Sequence, residues 1–482
     1  MNRRTCERLN GGLAERVSFD PEVLATYDHD LGEMPALVMS LINNRPEAVV
    51  VARSVEDVRQ VLLTGAEFGV PVTPRGQASS GYGGAIPTGG GIVLDLTEMN
   101  GVLGVDRENM TVDVEPGIVW NELSRELKGV DLDNRIVPTS APSSTVGGWF
   151  AMGGAGLGSL LYGNMRDVVT EIDVMGLDGE VMTCTGQDLD LHYQACGTLG
   201  VITRLRLRCR EAEKLVPFAV AFPDAGACHR FSKTLCDEME PYSISFHSPG
   251  YIRMKKELGG DESIPENSFL VVMAIPERAA DKKTLEEIAG RFDSLLLDHE
   301  TATHAWEDRF YPMRIKKLGP SILVGEFYLP LDKFREAWGE IEADLSRDLL
   351  GMEAFVVQNG QLAILVYILD DAGSFFYPFR MAKALRPISI AERHGGTLYN
   401  AGLWFASRSR RVLGKSRYAA FMKKKKIVDP KGLLNPGKIV PPKVKFLPFM
   451  DVSSLLYLSS WIASPISRLL VSRRPFVKRV GS

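Results

Sequence analysis

Glycine is concentrated in two short segments of this 482-residue chain. Between Gly147 and Gly163, seven of seventeen positions are glycine, and a second cluster runs from Gly76 to Gly91. Ordering a glycine costs more backbone entropy than ordering any other residue, so two dense clusters need a physical reason. The close approach of the backbone to a ligand is such a reason. The clusters therefore predict where a ligand is bound.

The composition limits the class of protein. A chain of this length is expected to form two or three domains, and its net charge of -4 does not favour nucleic-acid binding by bulk electrostatics. Six scattered cysteines, none in Cys-x-x-Cys spacing, argue against a disulfide framework and against a zinc or iron–sulfur site held by this chain alone. We expect reduced thiols in a cytoplasmic protein, with no secretory signal at residues 1–20 and no membrane-spanning run.

The hydrophobic pattern predicts an α+β protein. Up to residue 212 short strands dominate, and strand 201–208 alternates apolar with polar residues. From 213 to 390, apolar strands alternate with charged helical stretches, one of them at 281–297, which predicts a ferredoxin-like antiparallel cap covered by helices. Residues 391–442 form a further segment, and 443–482 form a basic amphipathic tail.

The loop at 74–81 is suited to bind phosphate. Its small residues leave backbone N–H groups accessible beside Arg75 and two serine hydroxyls. Such a loop alone is more often a surface hairpin turn, but the second glycine-lined segment, 138–163, favours two ribbons around one phosphate-containing ligand. Familiar nucleotide motifs are incomplete, because Ser159 stands where a dinucleotide fingerprint needs glycine and Ser409 where a P-loop does.

The order of motifs resembles one family of flavoproteins. In the first half the motifs are Pro74-Arg75-Gly76, Pro138, Thr145-Val146-Gly147-Gly148, Gly156, Tyr162-Gly163, Asp178-Gly179 and Gly200-Val201-Ile202-Thr203. This order is similar to the FAD-binding domain of the FAD-linked oxidase family, of the PCMH or vanillyl-alcohol-oxidase type. Near the C-terminus, Asp429-Pro430 and Leu434-Asn435-Pro436-Gly437-Lys438 resemble the branch of glycolate oxidase flavoprotein subunits and D-lactate dehydrogenases. The resemblance covers residues 20–440 and implies a two-subdomain FAD-binding domain to which the C-terminal segment returns.

The resemblance also implies which residues contact FAD. They are Gly76, Gln77, Ala78, Ser79, Ser80 and Gly81, with Arg75 beside them, at the pyrophosphate; Pro138, Thr145, Gly148 and Gly156 on the flavin and ribityl side; Ile202 at the adenine end; Asn435 as the closing residue; and Tyr162, Gly163 and Val201 as further contacts. Many relatives tether the flavin to a histidine or cysteine, and neither 74–84 nor 138–163 contains one. We therefore expect non-covalent, dissociable FAD.

The hydroxy-acid branch of the family carries a metal motif that this sequence lacks. Its His-x-Gly-Asp-Gly-Asn-x-His stretch falls on Gln358-Asn359-Gly360-Gln361-Leu362-Ala363, which contains no histidine and no acid. Ala401-Gly402-Leu403 stands where Glu-His-Gly is found in that branch. No metal is therefore expected, and other groups have to hold the substrate.

Four residues are candidates for the substrate site: Arg314, Tyr399, Asn400 and His394. Arg314 resembles an arginine of relatives and is suited to pair with a carboxylate, although residues 313–317 fit a solvated basic face equally well. Tyr399 and Asn400 follow a Gly-Gly-Thr turn and are expected to face the flavin. His394 fits an ordinary helix end better than it fits a relocated metal ligand.

The tail from Lys443 is basic, with a net charge of +6 from seven basic residues and Asp451. Three interpretations stay open: it lies on an anionic membrane surface, docks on a partner subunit, or packs on its own domain.

The resemblance implies an FAD-dependent oxidoreductase that oxidises a small-molecule alcohol or 2-hydroxy acid by hydride transfer to flavin N5. Electrons are expected to pass to an iron–sulfur partner or a quinone. Two alternatives stand beside it. One is a metal-free enzyme for a sugar-like or lipid-linked alcohol, and the other is a flavin electron-transfer subunit without its own substrate. The expected location is cytoplasmic, with the tail as a peripheral contact to the inner face of the membrane.

Overall fold

Residues 1–310, 312–444 and 447–469 are described by a computed structural model of the chain. Helices and strands alternate throughout, in agreement with the predicted α+β class. Up to residue 95 the elements are α1 (Arg3–Leu13), β1 (Val17–Ser18), α2 (Pro21–Ala25), α3 (Ala36–Met39), β2 (Ala48–Val51), α4 (Val55–Phe68), β3 (Val72–Arg75) and β4 (Ile92–Asp95).

The first sheet has the strand order β1-β2-β4-β3, in which β2, β4 and β3 run parallel. Helix α4 covers this sheet with its apolar face. The helix begins where Ser54 Oγ accepts the N–H of Asp57 at 3.2 Å, and it ends at Gly69 with a φ of +66°. Because β3 is the last strand in this order, the loop at 74–81 leaves the sheet at the carboxyl end of an edge strand.

The second sheet lies between residues 102 and 211. Its elements are β5 (Val102–Asp106), β6 (Thr111–Val114), α5 (Trp120–Lys128), β7 (Leu132–Asn134), α6 (Val146–Met152), α7 (Ser159–Tyr162), α8 (Met165–Val168), β8 (Val169–Met175), β9 (Val181–Cys184), α9 (Gly186–His192) and β10 (Val201–Glu211). The strand order is β5-β6-β10-β8-β9, with β7 also paired to β10. On β10, Leu205 and Leu207 enter the core while Arg204 and Arg206 pair with Asp113. The predicted alternating strand is confirmed.

The cap follows. Its elements are β11 (Leu215–Phe222), α10 (Ala225–Glu238), β12 (Ser243–His247), α11 (Pro249–Lys256), β13 (Phe269–Pro276), α12 (Lys282–Ala289), β14 (Leu295–Leu296), α13 (His299–Glu307), β15 (Ser321–Pro330), α14 (Phe334–Asp344), β16 (Leu350–Val357), β17 (Gln361–Asp370), α15 (Tyr377–Arg380), α16 (Ala382–Arg393) and β18 (Thr397–Leu398). They form an eight-stranded antiparallel sheet in the order β14-β11-β13-β12-β16-β17-β15-β18. Helices α10, α12, α14 and α16 bury one face of it.

The predicted antiparallel cap is confirmed, but one of its helices is shorter than predicted. The helix expected over 281–297 ends at Ala289, next to Gly290, and the chain continues into the short strand β14. Glycine is a poor helix former, and the strand that follows gains its hydrogen bonds from β11.

The C-terminal segment returns to the first sheet. Its elements are α17 (Ser409–Val412), α18 (Lys415–Val428), β19 (Lys443–Val444), β20 (Leu447–Asp451) and α19 (Val452–Leu469). The N–H of Val72 donates to the carbonyl of Leu433, and the N–H of Asn435 donates to the carbonyl of Val72, both at 2.8 Å. This segment thus pairs with the free edge of β3.

The described part of the tail packs on its own chain. Helix α19 lies against α15 and α16, and Val452, Leu455 and Leu456 join a cluster with Leu403 and Trp404. Of the three interpretations of the tail, self-packing describes the start of α19, at Val452, Leu455 and Leu456. The basic residues of the tail from 470 onward lie outside the described residues. No helix in the described part of the chain is long and apolar enough to cross a membrane.

Candidate functional site

A cavity of about 1440 Å³ lies between the two N-terminal sheets, the cap and the C-terminal segment. Ligand pockets typically enclose about 300–1,000 Å³, so this one has room for a dinucleotide and a substrate together. The predicted cofactor residues that line it are Arg75, Gly76, Gln77, Ala78, Ser79, Ser80, Gly81, Pro138, Thr145, Gly148 and Ile202. Both glycine-rich segments therefore meet at one cavity.

The loop at 76–81 presents backbone amides to the cavity. Ala78 has a φ of +50°, a left-handed conformation that turns neighbouring N–H groups towards one side. Among the described residues, the N–H groups of 77–81 have no protein acceptor. A concave run of free amides is the arrangement that binds phosphate oxygens.

The opposite wall begins at Thr145, the residue before α6. Its Oγ1 accepts the N–H of Gly148 at 3.2 Å. A Cβ on Gly76 would collide with this oxygen, and a Cβ on Gly147 would collide with the backbone of Pro116. Glycine is favoured at Gly76 because the two ribbons touch there, and at Gly147 because the backbone of Pro116 lies against it.

Asn435 ties the C-terminal segment to the same cavity from behind its wall. Its Nδ2 donates to the carbonyls of Gly84 at 2.9 Å and Cys196 at 2.6 Å, and both of these residues line the cavity. The Asn435 side chain is buried and its Oδ1 lacks a hydrogen-bond partner. Asn435 therefore fixes the backbone around the predicted cofactor rather than reaching the cavity itself.

The segment at 29–34 also borders the cavity, and the sequence does not predict this. Asp30 accepts the N–H of Gly32 at 2.9 Å and that of Gly83 at 2.6 Å. Burial raises the pKa of its carboxyl to about 6. Arg75 donates to the carbonyl of His29 at 2.7 Å, so this guanidinium holds the segment beside the phosphate loop.

Glu326 is the second residue that sequence reasoning missed. It lies on the cavity-facing side of β15, together with Val324 and Tyr328. Burial raises the pKa of its carboxyl to about 7, although the Tyr82 hydroxyl donates a hydrogen bond to it. A carboxyl that is half ionised near neutral pH is suited to general-base chemistry. The available signal was a single acid in an otherwise apolar strand.

Tyr399 and Asn400, both predicted, line the cavity beside Glu326. The Tyr399 hydroxyl accepts the N–H of Ala155 at 3.0 Å, and its ring stacks on Tyr328 with centroids 5.0 Å apart. Burial, together with the neighbouring Glu326 carboxylate, holds the pKa of Tyr399 well above its usual range. Asn400 Oδ1 accepts the N–H of Gly402 at 3.2 Å. Tyr399, as a neutral phenol, and Asn400 therefore shape the wall of the cavity.

The other two predicted substrate residues are placed differently. Arg314 lines the cavity but forms an ion pair with Asp308. His394 follows the last residue of α16, and its Nε2 lies 3.0 Å from a carboxylate oxygen of Glu340. It is absent from the cavity lining in the described residues. The interpretation of His394 as a helix-end residue agrees with this placement, and a role at the cavity does not.

Four further predicted cofactor residues stand behind the wall. Gly156 packs against the carbonyl of Val137, and Val201 is fully buried in the core of the first sheet. Tyr162 lies beneath the Arg135 guanidinium, and Gly163 adopts a φ of +78°. They support the cavity from behind and do not line it.

Residues outside the two predicted ribbons matter for the question of a flavin tether. His29 and Cys196 both line the cavity. Burial raises the pKa of the Cys196 thiol to about 12, so thiolate is scarce there and its reactivity is low.

Throughout 1–310, 312–444 and 447–469, no group of three histidine, cysteine, aspartate or glutamate residues is arranged to hold a metal.

The residues present fit FAD. Free amides at 77–81 suit its pyrophosphate, and the volume of the cavity suits a dinucleotide. The wall from Pro138 to Gly148 and the Ile202 side chain line the same cavity as these amides.

Comparison with known proteins agrees with this geometry. Residues 46–185 match the profile described as an FAD binding domain, and residues 212–439 match that of the C-terminal domain of FAD linked oxidases. The chain is 36% identical over 221 residues to D-lactate dehydrogenase of Anaerostipes hadrus, covering 44% of this chain and 45% of that protein. It is 34% identical over 167 residues to glycolate oxidase subunit GlcD of Bacillus subtilis, covering 33% and 36%. The matched segments thus span less than half the length of these two relatives.

A longer match reaches most of the chain. Mitochondrial D-lactate dehydrogenase [cytochrome] of Arabidopsis thaliana is 26% identical over 429 residues, covering 84% of this chain and 75% of that protein. Among solved structures, alkyldihydroxyacetonephosphate synthase superposes with a TM-score of 0.74 at 18% identity, over 90% of this chain and 85% of that one. p-Cresol methylhydroxylase does so with a TM-score of 0.73 at 16% identity, over 91% and 96%. These structural matches show the fold.

Proposed function

Because this chain belongs to the FAD-linked oxidase family, we propose that it is an FAD-dependent dehydrogenase of CH–OH groups in an alcohol or a 2-hydroxy acid. When bound, FAD supplies the hydride acceptor at flavin N5. The observation that carries the proposal is Glu326, a partly buried carboxyl on the wall of the cavity that the amides of 77–81 border, with a pKa of about 7.

Glu326 is the proposed general base. Its carboxylate accepts the proton of the substrate hydroxyl as the carbon–hydrogen bond is broken. The Tyr82 hydroxyl donates to this carboxylate and so favours its ionised form. Tyr399, anchored through Ala155, keeps the adjacent wall rigid.

Binding and orientation fall to other groups. The amides at 77–81 hold the pyrophosphate of the cofactor, and Asn435 and Asp30 hold the backbone on either side of it. Arg314 is proposed to orient an anionic group of the substrate. Its ion pair with Asp308 leaves the guanidinium available for a second partner, since it carries five N–H donors.

A flavin electron-transfer subunit without its own substrate is the competing function. The large cavity beside Glu326 favours a substrate, because an electron carrier needs no base and no room next to its cofactor. A sugar-like or lipid-linked alcohol is also compatible with a site that lacks the metal motif, and the apolar side of the cavity favours the lipid-linked one.

The remaining assignments are also proposals. Residues 1–212 form the FAD-binding domain, 213–390 the substrate cap, 391–442 the closing segment and 443–482 the tail. Electrons leave to an iron–sulfur subunit or a quinone, which agrees with six cysteines that stand apart in the sequence. The protein is placed in the cytoplasm, and the basic charge of the tail is proposed to favour a peripheral contact with the inner face of the membrane, beside the part of α19 that packs on its own chain.

Anaerobic mixing of the FAD-loaded protein with a panel of alcohols and 2-hydroxy acids tests the function. We expect at least one of them to bleach the flavin absorbance, and the Glu326→Gln variant to be strongly impaired with the same compound. Bleaching only through an added electron-transfer partner, with no response to any alcohol, would assign the competing function instead.

A further inference from the structure

The part of the cavity next to the cap is lined by apolar side chains from four elements, β15, β17, α16 and α19. Ile322 and Val324 on β15 and Leu365 on β17 line it on the face of the sheet that carries Glu326. Met381, Leu385 and Ile388, on α16 and the segment before it, line it from the opposite face of β15, and Leu455 and Leu456 on α19 lie on the same side as α16. These eight residues define an apolar extension of the cavity, and a small 2-hydroxy acid has little apolar surface to place against it. Its apolar walls gain free energy only from a ligand with apolar surface of its own.

The apolar extension begins at the proposed base. Glu326 and Leu365 face each other across β15 and β17, and Val324 and Ile322 follow on the same face because side chains alternate along a strand. From Glu326 to Ile322 the strand covers about 13 Å. A substrate whose hydroxyl lies at Glu326 therefore has an apolar path directly beside it.

The apolar extension also opens to the surface. Leu31, Phe379 and Tyr457 line the cavity and are nevertheless exposed by 44%, 39% and 38% respectively, which places them at its mouth. Phe375 stands near Phe379 on the same turn of chain and is 84% exposed. Helices α15 and α19 pack together at this point, so the mouth lies at their junction. An apolar mouth permits entry of an apolar chain.

We propose that the substrate of this site is an alcohol with a long apolar chain. It enters at the junction of α15 and α19, passes the edge of β15 that β18 leaves uncovered, and lies along Ile322 and Val324 with its hydroxyl at Glu326. This inference rests on the proposed dehydrogenase function and narrows its substrate class. The occupant is an apolar chain because the apolar walls are continuous with the reaction site. Arg314, Lys316 and Lys317 line the cavity as well, and the first two are paired with Asp308 and Glu33.

The test is a series of substrates with growing chains. Straight-chain 2-hydroxy acids from 2-hydroxybutanoate to 2-hydroxydecanoate, and the matching alkan-2-ols, are mixed anaerobically with the FAD-loaded protein. We expect kcat/KM for flavin bleaching to rise by about fourfold for each added methylene that enters the apolar extension. The same rise is expected whether the longest compounds are free or carried in phosphatidylcholine vesicles; a rise only with vesicles also supports the proposal and assigns the mouth to a lipid surface.

Two variants and a control locate the effect. Val324→Trp fills the apolar extension beside the base, and Leu456→Trp narrows it from α19; each should remove most of the dependence on chain length. Leu103→Trp adds the same side chain on exposed β5, outside the cavity, and should keep the full dependence. If one filling variant fails to fold, the other gives the same readout.

Binding without turnover separates the two proposals. A dansyl-labelled undecanoic acid should bind the FAD-loaded protein with enhanced fluorescence, and Val324→Trp should weaken this binding at least about tenfold. If the probe binds in this way while no alcohol bleaches the flavin, the dehydrogenase function is wrong and the apolar binding site stands. If short and long substrates react equally well and the probe does not bind, the apolar-chain inference is overturned while the dehydrogenase function stands.

Discussion

Replacing Glu326 with glutamine changes one atom of the side chain and removes the proposed base. General-base catalysis contributes about 10²–10⁴-fold to a rate, so the rate constant for flavin bleaching should fall by that factor. The volume of the side chain is kept, and the Tyr82 hydroxyl can still donate to the amide oxygen. The loss should therefore appear in kcat, with little change in KM.

The pH profile carries the second part of this prediction. The base works in its ionised form, and its pKa is about 7. The rate should be constant above this pKa and fall as the pH drops through it, reaching about one hundredth of the plateau two pH units lower. In the glutamine variant this limb should vanish from the residual rate.

Stability gives a readout independent of turnover. The Glu326 carboxyl has a raised pKa in the folded chain, about 7 against an ordinary 4.5, so the wild-type protein loses stability as the pH rises through this interval. The corresponding free energy above pH 7 is at most about 3 kcal/mol, because the partly exposed Glu326 side chain keeps some of its hydration. Cofactor-free Glu326→Gln should therefore have a higher melting temperature than wild type at alkaline pH, and the same one at acid pH. A less than tenfold loss of rate, with the acid limb still present, would refute the assignment of Glu326.

Four further outcomes are expected. Asn435→Ala removes two donated hydrogen bonds of about 1 kcal/mol each, so the Kd for FAD in a fluorescence titration of the apoprotein should rise at least about tenfold. Gly76→Ala should also weaken FAD binding, because its Cβ meets a side chain of the opposite ribbon, whereas Gly104→Ala, with open space around it, should not. His394→Ala should change kcat less than about twofold, since it breaks only a partly exposed contact with Glu340. Acid precipitation should leave the yellow colour in the supernatant; a yellow pellet would contradict dissociable FAD.

The parts of the molecule that local sequence determines were predictable. The strand at 201–208 and the helix capped by Ser54 follow from periodicity and from a capping side chain, which act over a few residues. The two glycine-rich ribbons could be paired because glycine density signals close backbone approach, and the structure brings Gly76 and Thr145 into contact.

The parts that depend on distant partners were not predictable. Asp30 accepts a hydrogen bond from Gly83, which is 53 positions away in the sequence, and no local sequence pattern predicts that contact. Glu326 lies in a strand that was predicted, but its raised pKa comes from burial by elements of both domains. Periodicity places a residue on one face of a strand, and only the assembled fold determines what that face covers.

The free edge of β3 is completed by residues 433–435, more than 350 positions later in the chain. The cofactor-binding half is therefore not a detachable unit. A fragment that stops at residue 212 would expose the Val72 backbone as an unpaired strand edge, which invites association with other chains. It would also lack the amide of Asn435 that bridges two loops of the cavity. Fusions and domain exchanges in this protein should accordingly keep both ends of the chain together.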